Sequence, residues 1–134
     1  MKQLNLEKCG KPIVDSIFVV LDCETTGLSP HEDAITEIAA IKICGGKEIG
    51  TFHTLLNPQQ EVPRRISALT GITNENLKDS PTFENIASSL SGFIGNEIIV
   101  GHNVVFDLNF INASLERYGF ETLTNRNLDT LRLA

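Results

Sequence analysis

An apolar segment near the start of the chain ends in two carboxylates that are separated by one residue. The run IFVVL, residues 17–21, is followed by Asp22, Cys23 and Glu24. Continuous apolar runs of this length are typical of strands buried on both faces, so we expect such a strand over residues 16–22. Carboxylates at the end of a buried strand lose hydration unless a cation or a donor compensates them. The sequence therefore predicts a charged site at the carboxyl end of this strand.

The spacing of these two acids favours a shared metal ion. Side chains two residues apart on an extended chain point to the same side, so Asp22 and Glu24 can reach one ion while Cys23 faces away. An acid after a strand can also be only a turn residue or a helix cap. A third acid, Asp107 in the segment GHNVVFD, residues 101–107, favours the metal hypothesis. Helical periodicity places Asp107 at the edge of a core-facing stripe, where the helix N-terminus could also ease its charge.

The length and composition predict one domain with a substantial core. The chain has 134 residues, of which 41% are hydrophobic, and we expect a polar lead-in over residues 1–15 before a domain over residues 16–134. No apolar run is long enough to span a bilayer or to form a signal peptide, so we expect a cytoplasmic protein without a membrane partner. Three cysteines, Cys9, Cys23 and Cys44, lack the spacing of a zinc site or a disulfide framework.

The net charge restricts how the chain could act on nucleic acid. A formal charge of −6 argues against a protein that binds by covering phosphates with a basic face. A phosphodiester enzyme remains compatible, because bound metal ions can neutralise a carboxylate-rich site and attract phosphate together.

The order of elements predicts a mixed α/β domain. Two further strands are expected over residues 34–43 and 48–56, with a tight turn at residues 44–47. Helical segments are expected over residues 64–69, from Thr73, and over residues 82–94. A strand over residues 97–100 and a final strand over residues 127–130 enclose another helix. Its apolar stripe is predicted to consist of Val104, Leu108, Ile111, Leu115 and Tyr118.

Three motifs in this order resemble the DEDD 3′–5′ exonucleases, the DnaQ-like family typified by the epsilon proofreading subunit of bacterial DNA polymerase III. They are FVVLDCETTGL at residues 18–28, RRISALTGIT at residues 64–73 and GHNVVFDLNFI at residues 101–111. The resemblance implies a ribonuclease H-like fold, a mixed five-stranded sheet with three antiparallel strands first and flanking helices. It also implies a metal-dependent 3′–5′ exonuclease that removes nucleotides from single-stranded DNA 3′ ends in proofreading or repair. The implied partner is a DNA polymerase subunit, and a complementing polypeptide is a further partner to consider because part of the family pattern is missing.

The resemblance also implies roles for individual residues. Asp22, Glu24 and Asp107 would be the catalytic acids and the ligands of two Mg²⁺ or Mn²⁺ ions, with Asp22 bridging both. The implied substrate contacts are Thr25 and Thr26 near the sugar, Leu69, Gly71 and Ile72 around the base, and His102 and Asn103 from the second motif. For His102 we favour a hydrogen bond that orders its loop over direct catalysis. Glu37 is interpreted as a structural acid.

The resemblance breaks near the end of the chain. The family's third motif supplies a histidine general base and a fourth aspartate, and neither has a counterpart here. Asp129 resembles the stretch before that motif. We therefore expect a domain incomplete at its C-terminus, with exposed apolar surface and impaired activity. It could be a fragment, a chain completed by a second polypeptide, or a degenerate remnant.

Two other functions stay open at this stage. One is a non-catalytic module that binds nucleic-acid ends or a polymerase subunit, suggested by the absent base. The other is an RNA-trimming exonuclease, because the same acids serve either sugar and no motif recognisably reads a 2′-hydroxyl.

Overall fold

The computed structural model describes residues 16–133, with the side chain of Leu133 excepted. The predicted lead-in over residues 1–15, including Cys9, lies outside this range. The strands are β1 (Ile17–Thr25), β2 (Ile35–Cys44), β3 (Lys47–Leu55), β4 (Ile98–Gly101) and β5 (Asn127–Asp129). The helices are α1 (Arg64–Thr70), α2 (Asn74–Leu77), α3 (Phe83–Ile94), α4 (Val104–Arg117) and α5 (Thr130–Leu133). Within the described range, none of these helices has the length and apolar character to cross a bilayer.

The strands form one mixed sheet with β1 at its centre. The strand order is β3-β2-β1-β4-β5, with antiparallel pairing among the first three strands. β4 pairs parallel with β1, and β5 pairs parallel with β4. The expected five-stranded sheet that begins with three antiparallel strands is therefore confirmed. Because β4 follows three helices in the chain, its parallel pairing joins segments that are distant in sequence.

The β2–β3 hairpin follows from its turn residues. Gly45 and Gly46 connect the two strands, with φ angles of 59° and 75°. Two-residue hairpin loops of type I′ require positive φ at both positions, which glycine adopts without steric cost. The predicted turn at residues 44–47 thus matches the structure.

The core lies between one face of the sheet and the helices α3 and α4. Val19, Leu21 and Ile38 project from the sheet and are at most 2% exposed. α3 begins at Thr82, whose side chain accepts a hydrogen bond from the Asn85 backbone in a capping box. It ends at Ile94, before the predicted stop at Gly95, and buries Phe83, Ala87, Leu90 and Ile94. Ile86 and Phe93, which share the same helical spacing, are only partly buried.

The buried face of α4 differs from the predicted stripe. Val104, Ile111 and Leu115 are buried as expected, but Leu108 and Tyr118 are only partly buried. The helix instead buries Asp107, Phe110 and Ser114. Ser114 tolerates this position because its hydroxyl donates to the Phe110 carbonyl oxygen at 2.8 Å. Asp107 therefore lies within the buried face rather than at its edge.

The expectation that β1 is buried on both faces is wrong. Val19, Leu21 and Cys23 are buried on the helix-covered face, whereas Val20 is 37% exposed on the opposite face. Asp22 is exposed on this second face. The neighbouring side chains there, Phe18, Ile41, Ile43, Ile98 and Val100, are only partly buried. We call this surface the open face of the sheet, and Asp22 and Glu24 lie at one end of it.

Candidate active site

The two acids of β1 lie on the open face beside β2. Asp22 is opposite Ala39, and Glu24 is opposite Glu37. β1 does not end at Asp22 as predicted but continues to Thr25, with an irregular register after Glu24. Glu37 is in turn 2.8 Å from His53 Nε2 through its Oε2 atom. Like charges in directly opposed positions repel, so this contact partly offsets the repulsion between Glu24 and Glu37.

Asp107 reaches the same end of the sheet from the first turn of α4. It is 4% exposed, and the backbone of Cys23 lies close enough to its carboxyl group to lower its pKa. Gly101, the last residue of β4, permits this close approach. A Cβ atom at Gly101 would lie 2.9 Å from the Leu21 carbonyl oxygen. The absence of a side chain therefore lets the start of α4 pack against the end of β1.

Electrostatic interactions link the three carboxylates. Burial raises the pKa of Asp107 to about 7, and the negative charge of Asp22 contributes next, with smaller contributions from Glu24 and Asp129. The backbone of Cys23 acts in the opposite direction and lowers this pKa. The pKa of Glu24 is also raised, first by burial and then by Asp22 and Glu37. We call Asp22, Glu24 and Asp107 the acid corner.

The acid corner suits a divalent cation in chemistry but is not a closed metal cage. Carboxylate oxygens are the hard ligands that Mg²⁺ and Mn²⁺ prefer, and a cation would relieve the repulsion that raises the pKa of Asp107. Across residues 16–133, no three histidine, cysteine, aspartate or glutamate side chains are already gathered tightly enough to hold an ion. Binding would therefore require the side chains to move together.

The turn between β4 and α4 is held by the start of α5. His102 Nδ1 lies 3.2 Å from the Thr130 hydroxyl oxygen, and that hydroxyl donates to the Gly101 carbonyl oxygen at 3.3 Å. The backbone N–H of Asn103 donates to Asp129 Oδ1 at 2.8 Å. His102 is thus placed in a hydrogen bond that orders the turn, the arrangement favoured from the sequence, although its partner is a hydroxyl group.

The loop after β1 encloses both threonines of the first motif. Thr25 donates to the Gly27 carbonyl oxygen at 2.6 Å, and Thr26 is 1% exposed. The Thr26 hydroxyl accepts from the Ala34 N–H at 3.0 Å and lies 3.2 Å from Gln60 Oε1. These contacts give Thr26 a structural role in the loop, and its hydroxyl group faces the protein interior.

A cavity of about 480 Å³ opens beside Glu24. It contains two of the predicted substrate-binding residues, Thr25 and Leu69, but its lining includes neither Gly71 nor Ile72. Gly71 instead ends α1 in a left-handed conformation, with φ of 75°. The sequence prediction missed Leu28, Arg65 and Phe106, which also line the cavity. All three lie inside the quoted motifs, so their membership of these motifs was the available signal.

Comparison with known proteins decides the family. A family model described as Exonuclease matches residues 19–134. The chain belongs to the exonuclease family. The resemblance to DEDD proofreading exonucleases is thereby confirmed, and the match includes every residue of the acid corner.

Relatives of this exonuclease domain are much longer proteins. DNA polymerase III PolC-type of Thermotoga maritima is 42% identical over 120 residues, which are 90% of this chain and 9% of that protein. The PolC-type polymerase of Oceanobacillus iheyensis is 38% identical over 127 residues, covering 95% of this chain and 9% of its own length. The chain thus spans about a tenth of the length of these relatives.

Solved structures support the fold of the exonuclease domain. Apo exonuclease I aligns with a TM-score of 0.80 over 89% of this chain and 30% of its own, at 22% identity. Escherichia coli exonuclease I in complex with a dA16 oligonucleotide gives the same TM-score, over 89% of this chain and 28% of its own. The ribonuclease H-like fold implied by the motifs is therefore confirmed.

The raised pKa of Asp107 predicts how stability depends on pH. Because its pKa rises from 3.8 to about 7 on folding, the folded protein binds more protons than the unfolded chain between about pH 4 and pH 7. The free energy of unfolding should therefore fall as pH rises through this window. In metal-free buffer, Asp107→Asn should lack the part of this fall that comes from Asp107. The Tm of the variant minus the Tm of the wild type should therefore increase from pH 4.5 to pH 8. Parallel pH profiles of Tm for the two proteins would contradict the assigned shift.

Proposed function

We propose that this chain is a metal-dependent 3′–5′ exonuclease domain that removes nucleotides from DNA 3′ ends, in proofreading or repair. The observation that carries the proposal is the electrostatic coupling of buried Asp107 to Asp22 and Glu24. The interacting acids come from β1 and α4 and are more than 80 residues apart in the sequence. Membership of the exonuclease family supports the same chemistry.

The acid corner would hold the Mg²⁺ or Mn²⁺ ions. The charge of Asp22 acts on both other carboxylates. Asp22 is therefore the member of the acid corner that would bridge the two ions. Two bound divalent ions supply an activated water and stabilise the departing oxygen in phosphodiester hydrolysis. Asp107 must lose its proton to act as a ligand, so cation binding should become stronger as pH rises toward its pKa of about 7.

The cavity beside Glu24 would receive the terminal nucleotide. Leu69 on α1 is 83% exposed and Leu28 in the loop after β1 is 79% exposed, and both line the cavity. Exposed apolar side chains facing each other across a groove offer contact area for the face of a base. Thr25 and the backbone near Gly27 complete the wall next to Glu24, where the sugar would lie.

The proposals that DNA is the substrate and that a polymerase is the partner are supported by the names of the similar proteins. The proteins of about 40% identity are named as DNA polymerases, and a structural neighbour is described with a DNA oligonucleotide. A domain of this kind that works beside a polymerase would receive single-stranded 3′ ends. We propose the same role here, with a polymerase subunit or domain as its partner.

The test is a nuclease assay on a single-stranded DNA that is labelled at its 5′ end. With Mg²⁺ or Mn²⁺, the chain should release mononucleotides stepwise from the 3′ end, and Asp22→Asn should abolish the release. Asp79→Asn is the matched control, because Asp79 is exposed and outside the acid corner. A side-chain base commonly contributes about 10²–10⁴-fold to rate, and residues 1–134 contain no counterpart of the family's histidine, so we expect slow turnover.

Other outcomes of this assay would identify the rival functions. Faster trimming of an RNA of the same sequence would replace DNA by RNA as the substrate. End binding without Asp22-dependent cleavage would indicate a non-catalytic module. Equal cleavage by wild type and Asp22→Asn would overturn the proposed site.

A further inference from the structure

Asp129 is a buried carboxylate that joins the end of β5 to the turn before α4. It is 5% exposed, and its Oδ1 atom accepts two backbone hydrogen bonds. One comes from Asn103 at 2.8 Å, and the other comes from Leu131 at 3.0 Å. Its Oδ2 atom lies 4.0 Å from Arg132 Nε. Asp129 is therefore engaged with backbone groups of two elements and with a cation.

The residue it holds, Asn103, has an unusual backbone conformation. Asn103 is the N-cap of α4, with φ of 60° and ψ of 45°, and its own side chain makes no capping hydrogen bond. This left-handed region is unfavourable for residues with a Cβ atom, although asparagine tolerates it better than most. The charged acceptor on its N–H group stabilises the turn from outside the helix.

The position of the turn determines the position of Asp107. The Asn103 carbonyl oxygen accepts from the Phe106 N–H at 3.0 Å, which fixes the first turn of α4. Asp107 follows directly, is buried and interacts with the backbone of Cys23. Asp107 lies about one helical turn after Asn103. A shift of Asn103 would therefore also shift the Asp107 carboxyl group at the acid corner.

We propose that Asp129 is a positioning residue: by holding Asn103 in its left-handed conformation, it places the Asp107 carboxyl group at the acid corner. Its Oδ1 accepts from two N–H groups, so Asp129 positions Asp107 through the turn; its direct effect on Asp107 is charge repulsion, which Asp129→Asn removes while keeping an acceptor oxygen. The relevance of this placement to metal binding rests on the function proposed above. Asp129 lies outside the three motifs, at the end of β5.

A double-mutant cycle tests the proposal with two measurements. Mn²⁺ affinity reports on the acid corner, and the backbone amide NMR signal of Cys23 reports on the position of the Asp107 carboxyl group without any metal. Asp129→Ala should lower Mn²⁺ affinity by about 10–100-fold, the range typical of residues that orient metal ligands. It should also shift the Cys23 amide signal as the Asp107 carboxyl group moves away from the Cys23 backbone.

Asn103→Gly provides the specific rescue. Glycine adopts the left-handed conformation without steric cost, so the turn should depend less on Asp129. In the Asn103→Gly background, Asp129→Ala should lower Mn²⁺ affinity by only about threefold or less. The two substitutions would then have non-additive effects on Mn²⁺ affinity, as expected of coupled residues. A general loss of folding would not be rescued in this way, and Tm values of all four proteins would reveal it.

Milder variants keep the test decisive if Asp129→Ala does not fold. Asp129→Asn retains an acceptor oxygen and should stay within about threefold of wild-type Mn²⁺ affinity, because both N–H groups keep a partner. Asp129→Ser has a shorter side chain and should give an intermediate loss with an intermediate Cys23 shift. Unchanged Mn²⁺ affinity and an unchanged Cys23 signal in Asp129→Ala or Asp129→Ser would overturn the inference.

The two proposals fail in distinguishable ways. If the wild type shows no Asp22-dependent Mn²⁺ uptake, the proposed function is wrong, and the Cys23 signal alone decides the role of Asp129. If uptake depends on Asp22 but not on Asp129, only the positioning inference is wrong.

Discussion

Asp22→Asn is expected to lower the Mn²⁺ affinity of this exonuclease domain by more than about 100-fold, beyond the about 10–100-fold typical of residues that only orient ligands. The reason is that Asp22 raises the pKa of both Glu24 and Asp107, so its charge lies close to both. No other acid acts on both partners in this way among residues 16–133. Isothermal titration with Mn²⁺ at pH 8 measures the loss directly.

The substitution should not weaken the apo fold, because it removes charge repulsion at the acid corner. We therefore expect the metal-free Tm of Asp22→Asn at pH 8 to equal or exceed that of the wild type. Asp79→Asn should change neither quantity. Wild-type Mn²⁺ affinity in Asp22→Asn would show that the ion binds elsewhere, and a large drop in Tm would show that Asp22 has a structural role.

Phe110→Ala is expected to lower the free energy of unfolding by about 3–5 kcal/mol, the usual cost of removing a fully buried phenylalanine side chain. Phe110 is 0% exposed on the buried face of α4. Its ring centroid is 5.0 Å from that of Phe106, which lines the cavity beside Glu24. The change should therefore also loosen the wall of the proposed nucleotide site. Urea denaturation monitored by circular dichroism measures the loss.

Phe18→Ala is the matched control for the core substitution. Phe18 lies on β1 like the acids, but it projects to the open face and is only partly buried. Because less apolar area leaves water at Phe18, its removal should cost roughly 1–2 kcal/mol. Equal losses for the two variants would mean that the open face is covered in solution to the same degree as the core.

Local patterns in the sequence were sufficient to predict the elements and the direction of the β1 acids. Asp22 and Glu24 project to one face of the sheet and Cys23 projects to the other. Side chains alternate along a strand regardless of what surrounds it. The Gly45–Gly46 turn and the limits of α3 likewise depend on residues within a few positions of each other. Family motifs then supplied the strand order, which periodicity alone does not determine.

Features that depend on distant contacts could not be predicted in this way. The apolar run in β1 is compatible with burial on both faces, and only the packing of helices on one face leaves Val20 exposed. Ser114 is buried because its hydroxyl group donates to a backbone carbonyl oxygen. A search for apolar residues at helical spacing does not identify such a residue. The hydrogen bond from Asn103 to Asp129 joins residues that are 26 positions apart, so no local sequence pattern predicts it.

The parallel pairing of β1 with β4 has a consequence for the order of folding events. Phe18 pairs with Ile98, so this contact closes a long loop, whereas the β1–β2–β3 unit can form through short connections. We therefore expect Asp107 to meet Asp22 in a later step than the pairing of the antiparallel unit. Charge repulsion should slow that docking step and leave hairpin formation unaffected. The refolding rate of the chain should accordingly increase when Asp107 is protonated, which gives the nascent protein a kinetic barrier that depends on acidity.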